Sequence, residues 1–296
     1  YLFDFVTAPF IFNNLKLFLR SQVNLHSALF IEGDCVINGD GNILDLSSTA
    51  SIIIQPGASL TLEDLTLKGV QENNLRCVDE TGVIILRNAV CALESNYSFT
   101  TGSLKILNDV VFRGGSVFCY ESFQTSTIMD KSQLIFDAGV TFSYDPITKN
   151  RSLLELIGKN ASLVLDGANM FAGDGIDLTN GRLIINRNSE LSSNGEISLG
   201  NLVSTQDIEC FILSGIELFV SKGILNYKNA NERSWVRNNF SVLRIGQEAT
   251  LQIFTPLNIG NGTVSTQLGA TIMQIGQGGL IGRVFSSGQF NYQYIE

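Results

Sequence analysis

The sequence has few of the residues that most often catalyse reactions or bind zinc. It contains one histidine, His26, and its five cysteines form no CxxC pair and have no histidine at zinc-ligand spacing. A Ser-His-Asp or Cys-His nucleophile would have to use His26, near the N-terminus. The sequence therefore argues against zinc enzymes and triad hydrolases. It predicts buried free thiols, with one disulfide among Cys77, Cys91 and Cys119 as the alternative in a secreted protein.

Charge and proline are also scarce. Charged residues make up 16% of the 296 residues, the net charge is −9, and no run of basic residues interrupts the acidic balance. Because an acidic surface repels a phosphate backbone, we expect no nucleic-acid partner. The chain has 4 prolines but 28 glycines, together with many asparagines. Glycine and asparagine accept left-handed backbone conformations, so this composition favours many tight bends between short strands.

Long apolar runs are missing. No stretch of 18 apolar residues is present, so the sequence predicts no transmembrane helix. The chain starts at Tyr1 without methionine and without a basic segment followed by an apolar one. We therefore expect either that a leader was removed or that the chain is an excerpt of a longer protein.

What the chain does have is a repeated unit, seen most clearly at residues 101–112. Thr101-Gly102 is a small polar turn, Ser103–Ile106 alternates like a strand, Asn108-Asp109 is a bend, and Val110–Phe112 is a second short apolar strand. Variants of this unit align on nine apolar register positions, which are Leu60, Ile84, Leu104, Leu134, Leu163, Leu183, Ile216, Leu251 and Ile272.

The spacing of these register positions predicts a solenoid. The short intervals are 20 to 24 residues, which is the size of one solenoid turn. The long intervals predict the same turn with an insertion of roughly 8–13 residues that projects as a loop. A leucine-rich repeat would need a fixed asparagine and a propeller would need blades of about 40–45 residues, and neither pattern is present.

The repeat, together with the phrase Ile37-Asn38-Gly39-Asp40-Gly41-Asn42-Ile43-Leu44-Asp45-Leu46, resembles the right-handed parallel β-helix proteins. These include the pectate-lyase-like superfamily and the passenger domains of bacterial autotransporter and polymorphic outer-membrane proteins. The resemblance covers roughly residues 29–285 and implies an all-β fold, a single right-handed parallel β-helix of about ten or more coils with loop insertions. We predict one domain over residues 1–296, with 1–28 as a cap or the first coils and 286–296 as the C-terminal edge.

Two stretches predict a site. Asp174 and Asp177, in Gly173-Asp174-Gly175-Ile176-Asp177-Leu178, partly resemble a calcium-binding nonapeptide, but that motif occurs only once. Three interpretations stay open for these aspartates: plain β-turns, a calcium site, or a pair of catalytic carboxylates. No other cofactor is expected.

The most polar stretch, residues 227–239, holds the only tryptophan, Trp235, between Arg233 and Arg237. We place it inside one of the two longest insertions. An exposed tryptophan between arginines suits an acidic glycan or a protein partner. The alternative is a loop whose tryptophan packs back onto the solenoid.

A cluster of aromatic residues also has two interpretations. Exposed aromatic rings bind sugars, whereas stacked rings fill the interior of a β-helix, and the second is our prediction. The cluster consists of Phe118, Tyr120, Phe123, Phe136, Phe142 and Tyr144.

Three functions follow from this reading. The first is a non-enzymatic scaffold or adhesin that is secreted or on the cell surface, with a glycan or surface protein as partner. The second is a carbohydrate-active β-helix enzyme, either a lyase or a hydrolase. However, the Asn-Thr-Asp, Asp-Asp, Gly-His-Gly and Arg-x-Lys motifs of pectin-degrading relatives are absent. The third is a fibre subunit that self-associates through uncapped solenoid ends.

Overall fold

The chain forms a parallel β-solenoid of about 12 turns, which confirms the predicted all-β parallel β-helix. The structure is a computed structural model, and it describes residues 9–46, 49–202, 208–229, 241–289 and 291–295. About 65% of the chain is in strands, and the described residues contain no helix. None of the described segments could therefore cross a membrane as a helix.

The strands are short where the chain turns at every face and long where two faces are joined by a bend. In the first half they are β1 (Phe10–Asn13), β2 (Lys16–Phe18), β3 (Val23–Leu25), β4 (Ala28–Glu32), β5 (Asp34–Asn38), β6 (Ile43–Leu46), β7 (Ser51–Ile54), β8 (Ser59–Val70), β9 (Leu75–Cys77), β10 (Val83–Leu93), β11 (Tyr97–Phe99), β12 (Ser103–Arg113), β13 (Val117–Tyr120), β14 (Ser126–Ile128) and β15 (Gln133–Asp137).

The second half continues the same pattern. Its strands are β16 (Thr141–Tyr144), β17 (Leu154–Leu156), β18 (Ser162–Asp166), β19 (Asn169–Ala172), β20 (Gly175–Leu178), β21 (Gly181–Arg187), β22 (Ser189–Leu199), β23 (Ile208–Ile212), β24 (Glu217–Tyr227), β25 (Val242–Ile253), β26 (Pro256–Thr266), β27 (Thr271–Ile275), β28 (Gly279–Ser286) and β29 (Asn291–Ile295).

Each coil contributes strands to three faces. Face 1 contains β2, β5, the first halves of β8, β10 and β12, then β14, β17, β20, the second halves of β22, β24 and β25, and β27 and β29. Face 2 contains β3, β6, the second halves of β8, β10 and β12, and β15, β18, β21 and β23. Face 3 contains β1, β4, β7 and β9, then β11, β13, β16, β19, the first halves of β22, β24 and β25, and the second halves of β26 and β28. All pairings are parallel.

The pairing confirms most of the predicted register. Leu60 pairs with Ile84, and Ile84 pairs with Leu104. Leu134 pairs with Leu163, which pairs with Leu183, and Leu251 pairs with Ile272. Within each face, the predicted columns of apolar side chains are therefore present.

Three of the long intervals were wrongly attributed to insertions alone. Leu134 pairs with Val110 on face 2, whereas Leu104 lies on face 1, so this interval mixes two faces. On face 2 the partner of Leu183 is Cys210, and not Ile216, which was the next predicted register position. Ile216 immediately precedes the face 3 pairing of Glu217 with Val242, so its two intervals also mix faces. Apolar alternation looks the same on every face, and the sequence could not separate them.

The predicted bends are present. Asp64, Asn88 and Asn108 have φ angles of 52°, 48° and 56°, in the left-handed region that aspartate and asparagine tolerate best among residues with a side chain. Asn88 donates from Nδ2 to Oδ1 of Asp64 in the preceding coil over 2.7 Å. The bends are therefore stacked and joined to one another.

The core is a continuous apolar column inside the solenoid. Its aromatic part confirms the interior interpretation, because Phe118, Phe136 and Phe142 are buried and stacked, with ring centroids of Phe136 and Phe142 4.5 Å apart. Tyr120 and Tyr144 stack 5.5 Å apart at 8°. Phe123 is the exception, with 40% of its surface exposed.

The described ends differ from the middle. Residues 10–28 form coils, because Phe10 pairs with Leu29 and Val23 pairs with Leu44. On β28 and β29, apolar side chains such as Val284 and Tyr292 are exposed. Self-association through the ends stays a prediction.

Candidate functional site

The only long interruption of face 1 lies in the middle of the described part of the solenoid, between β17 and β20. β17 pairs with β14 and β20 pairs with β22, and the described strands show no pairing between β17 and β20. The chain reaches β17 through an extended loop, residues 145–153, which separates β16 from β17. One predicted insertion, in the interval from Leu134 to Leu163, is therefore confirmed.

Tyr144 holds this loop from inside the core. Its hydroxyl donates to the Asn150 carbonyl and accepts from the Leu153 amide, both over 2.8 Å. Burial is the main cause that raises the pKa of Tyr144, so the hydroxyl stays protonated at neutral pH. At the outer end of the loop, Asn150 Oδ1 accepts from the Ser152 amide over 2.9 Å. These bonds fix the path of the loop and direct Arg151 across the outer side of face 1.

Arg151 is the centre of a polar network. Its Nη2 atom lies 2.7 Å from Asp177 Oδ1 and 2.9 Å from Ser198 Oγ, and its Nη1 atom lies 3.1 Å from Glu196 Oε2. Asn226 in the following coil donates to the same Glu196 oxygen over 3.0 Å. One arginine therefore links the loop to two further coils directly and to a third through Glu196.

The network leaves two buried atoms without partners in the described structure, Arg151 Nε and Asn226 Oδ1. Asn226 is 1% exposed although it lies on the outward column of face 1, in register with Ser198. A buried amide oxygen without a hydrogen bond costs free energy, so this is the part of the network where a water or a ligand hydroxyl would bind most readily.

The two aspartates predicted from the sequence lie here but do not share a site. Asp177 binds Arg151, whereas Asp174 lies 2.9 Å from Lys149 Nζ at the surface. The described residues include no group of three or more histidine, cysteine, aspartate or glutamate side chains placed to hold a metal. The calcium prediction stays a prediction.

One glycine of that motif, and a glycine of the next coil that faces it, have a packing explanation. A Cβ on Gly175, whose φ is +114°, would lie 2.2 Å from the Glu196 carbonyl oxygen, and a Cβ on Gly195 would lie 2.2 Å from the Asp174 carbonyl oxygen. Successive coils approach so closely that only glycine fits.

A cleft of about 350 Å³ opens beside the network at the interruption of face 1. Carboxylates, hydroxyls and apolar side chains all line it. The lining residues are Ser152, Leu154, Glu155, Leu156, Ile157, Gly158, Asp177, Thr179 and Asn180. Asn180 bridges its floor by donating from Nδ2 to the Leu156 carbonyl over 3.1 Å.

Arg233, Trp235 and Arg237 lie outside the described residues, so their predicted binding role stays a prediction. Their predicted placement in one of the two longest insertions also falls on residues outside the described ranges and stays a prediction. Sequence reasoning missed Arg151, Glu155 and Glu196. No local motif marks Arg151 and Glu196, because the hydrogen bonds of Arg151 join residues 26 and 45 positions apart, and Glu155 is a single acidic residue at an exposed strand position.

The nucleophiles that the sequence offered do not line this cleft. His26 is exposed near the N-terminal end, and all five cysteines are free thiols, of which Cys35, Cys77, Cys91 and Cys210 are buried. Burial raises the pKa of Cys77 and of Cys91 to about 12. These thiols are therefore poor nucleophiles at neutral pH.

Comparisons of the chain with protein-family models, with curated proteins and with solved structures found no match.

Proposed function

We propose that this chain is a non-enzymatic scaffold, secreted or on a cell surface, whose solenoid carries loops and one cleft for a protein or glycan partner. The observation that carries the proposal is that its charged side chains form ion pairs between neighbouring coils. Arg151 binds Asp177 and Glu196 at the site, and elsewhere Lys68 binds Asp45 and Arg187 binds Asp166. These contacts join one coil to the next, so they serve the architecture.

The repeat supports the same proposal. Stacked coils bury a continuous core without any catalytic residue, and a long surface with outward loops is suited to adhesion. The resemblance of the repeat to autotransporter passenger domains and to polymorphic outer-membrane proteins also favours a surface role, and likeness of architecture alone specifies no reaction.

A second function, a carbohydrate-active enzyme of the pectate-lyase-like type, is favoured by one observation. Glu155 and Asp177 line the same cleft. Glycoside hydrolysis uses two carboxyl groups on either side of the bond that is broken.

Incubation of the chain with acidic and neutral polysaccharides separates the two. The released reducing ends and the absorbance of unsaturated products are measured for the native chain and for Glu155→Gln and Asp177→Asn. The scaffold proposal expects no turnover above the buffer control. Robust turnover that both substitutions abolish would overturn it in favour of the enzyme. Protease shaving of intact cells that produce the protein tests the surface location.

A further inference from the structure

We propose that the outer side of face 2 binds an amphipathic α-helix of a partner protein, which lies lengthwise along an apolar stripe of stacked side chains. The inference rests on the proposed scaffold function and adds an interaction surface, separate from the cleft, with a stated partner chemistry. Three observations support it: the continuity of the stripe, its narrow width and the charges beside it.

The apolar stripe runs through six consecutive coils. Outward side chains on neighbouring strands of face 2 are in register, and in these coils the central outward side chain is always apolar. The stripe consists of Val90, Val111, Ile135, Val164, Ile184 and Phe211. Five of these side chains are half-buried, and Val164 is 1% exposed.

The solenoid core does not account for the stripe. The buried core side chains are the neighbours of each stripe residue, as Val110 and Phe112 are on either side of Val111. An outward column on face 1 is mostly polar, and its members are Thr61, Ile85, Lys105 and Thr127. Outward positions are therefore not apolar by default, and a contiguous apolar strip on an outer face indicates a contact with another molecule.

The dimensions of the stripe fit one helix. Five steps of about 4.8 Å between parallel strands make it about 24 Å long, which matches a helix of about 16 residues. Ion pairs border it on both sides, because Arg182 binds Glu209 on one side and Arg187 binds Asp166 on the other. An amphipathic helix likewise presents one apolar stripe with polar residues along both edges.

Charges near one end of the stripe match such a helix. Asp109 and Arg113 lie two residues before and two residues after Val111 on β12. Both are exposed, and neither has an ion pair with another described residue. A helix with basic residues along one edge and acidic residues along the other would therefore pair with both charges.

The same dimensions disfavour a second copy of the chain. Face 2 is about five residues or roughly 17 Å wide, so face-to-face pairing over about 24 Å would bury roughly 400 Å² per partner, about half of the usual 800 Å². Such pairing, or a partner β-sheet, would also desolvate the ion pairs of Arg182 and Arg187. An anionic membrane would be repelled by the net charge of −9.

A phage-displayed library of peptides of about 16 residues, panned on the immobilised full chain, tests the proposal. Leucine is fixed at the positions that form one helical stripe, and all other positions are random. We expect the selected peptides to carry basic residues along one edge of the stripe and acidic residues along the other. Circular dichroism should show that they become helical on binding, and a scrambled peptide of the same composition should not bind.

A matched pair of double variants locates the binding surface. Affinity for the selected peptide is measured by its fluorescence anisotropy. Val111→Thr with Ile135→Thr should weaken binding about tenfold or more, because threonine keeps the β-branched shape but loses apolar surface. Val36→Thr with Ile85→Thr makes the same change at outward, half-buried positions of face 1 and should leave the affinity unchanged.

A charge exchange tests the orientation of the helix. Asp109→Arg with Arg113→Asp alters only exposed side chains and should weaken binding of the same peptide about three- to tenfold. Failure to select one-stripe helices, equal losses in the two threonine double variants, or an affinity that the charge exchange leaves unchanged would each overturn the proposal. The scaffold function is decided separately, by the absence of turnover on polysaccharides, so the two proposals can fail independently.

Discussion

Arg151 donates from Nη2 to Oδ1 of Asp177 over 2.7 Å, although the two residues are 26 positions apart and lie on different coils. The bond crosses the interruption of face 1, where backbone pairing between β17 and β20 is missing from the described strands. A side chain therefore supplies part of the connection that the backbone supplies in the coils around it.

Replacing Arg151 with alanine should destabilise the protein by about 1–3 kcal/mol, because Asp177, Glu196 and Ser198 lose their common donor. The midpoint of urea unfolding followed by circular dichroism measures this. Arg182→Ala is the control, since Arg182 has one ion pair, with the partly exposed Glu209, and lies 6.0 Å from the Phe211 ring centre. Partly exposed contacts of these two kinds contribute about 1 kcal/mol or less each. Equal shifts in both variants would contradict the role of Arg151.

Tyr144→Phe should loosen the loop without disturbing the core. The substitution keeps the ring stacked on Tyr120 but removes the hydroxyl that binds Asn150 and Leu153. Amide hydrogen exchange should speed up in residues 145–153 and stay unchanged in the other coils. In the control Tyr97→Phe, which removes a hydroxyl bound to the Leu75 carbonyl, exchange in this loop should not change. If the loop exchanged equally fast in both variants, Tyr144 would not be its anchor.

The sequence was sufficient for the solenoid and for the local chemistry of its bends. Inward positions such as Leu60 and Ile84 are apolar because every coil buries the same column, and Asn108 marks a bend because few other residues tolerate a positive φ. These signals are local and repeat many times.

The site could not be predicted in the same way. Arg151 finds its partners only after three coils are stacked, and the cleft exists because two strands fail to pair. The sequence marked Asp177 as a candidate because the residues around it resemble a calcium-binding motif. Nothing in those neighbouring residues predicts the contact of Asp177 with Arg151. Long-range contacts that occur once leave no periodicity to detect.

Glu63 should make stability sensitive to acid. Its pKa is lowered from the ordinary value of 4.5, first by the hydrogen bond from Asn38 and also by Lys16 and Arg87. A lowered pKa in the folded state means that the stabilising contribution is present above the unfolded-state pKa and is lost as pH falls through the folded-state value. Glu63→Gln should therefore be less stable than the native chain by about 1 kcal/mol at pH 7.

The difference in unfolding midpoint between the native chain and Glu63→Gln should shrink as pH falls from 7 to below 4.5. Glu72→Gln, at an exposed turn, should match the native chain throughout. A difference that stayed constant with pH would show that the charge of Glu63 contributes nothing.

Phe136→Ala should be among the most destabilising single substitutions. Phe136 is fully buried between Phe112 and Phe142, with ring centroids 5.6 and 4.5 Å away, so its loss leaves a cavity in the core. We expect a loss of about 3–5 kcal/mol in chemical unfolding. Phe123→Ala, at a 40% exposed position, should cost less than about 1 kcal/mol. Comparable losses would place Phe136 outside the core.

The measurement that tests the account most directly is the distance between two spin labels on face 2. Thr66 and Ile184 are outward, half-buried positions joined by the pairings of Val90, Val111, Ile135 and Val164, which makes five steps from coil to coil. Parallel strands lie about 4.8 Å apart, so the two backbones should be about 24 Å apart. Labels on Thr66→Cys and Ile184→Cys, in a chain with Cys119→Ser, should give one narrow distribution near this value by pulsed electron resonance. A broad distribution, or a peak displaced by two or more coil steps, would contradict the solenoid register.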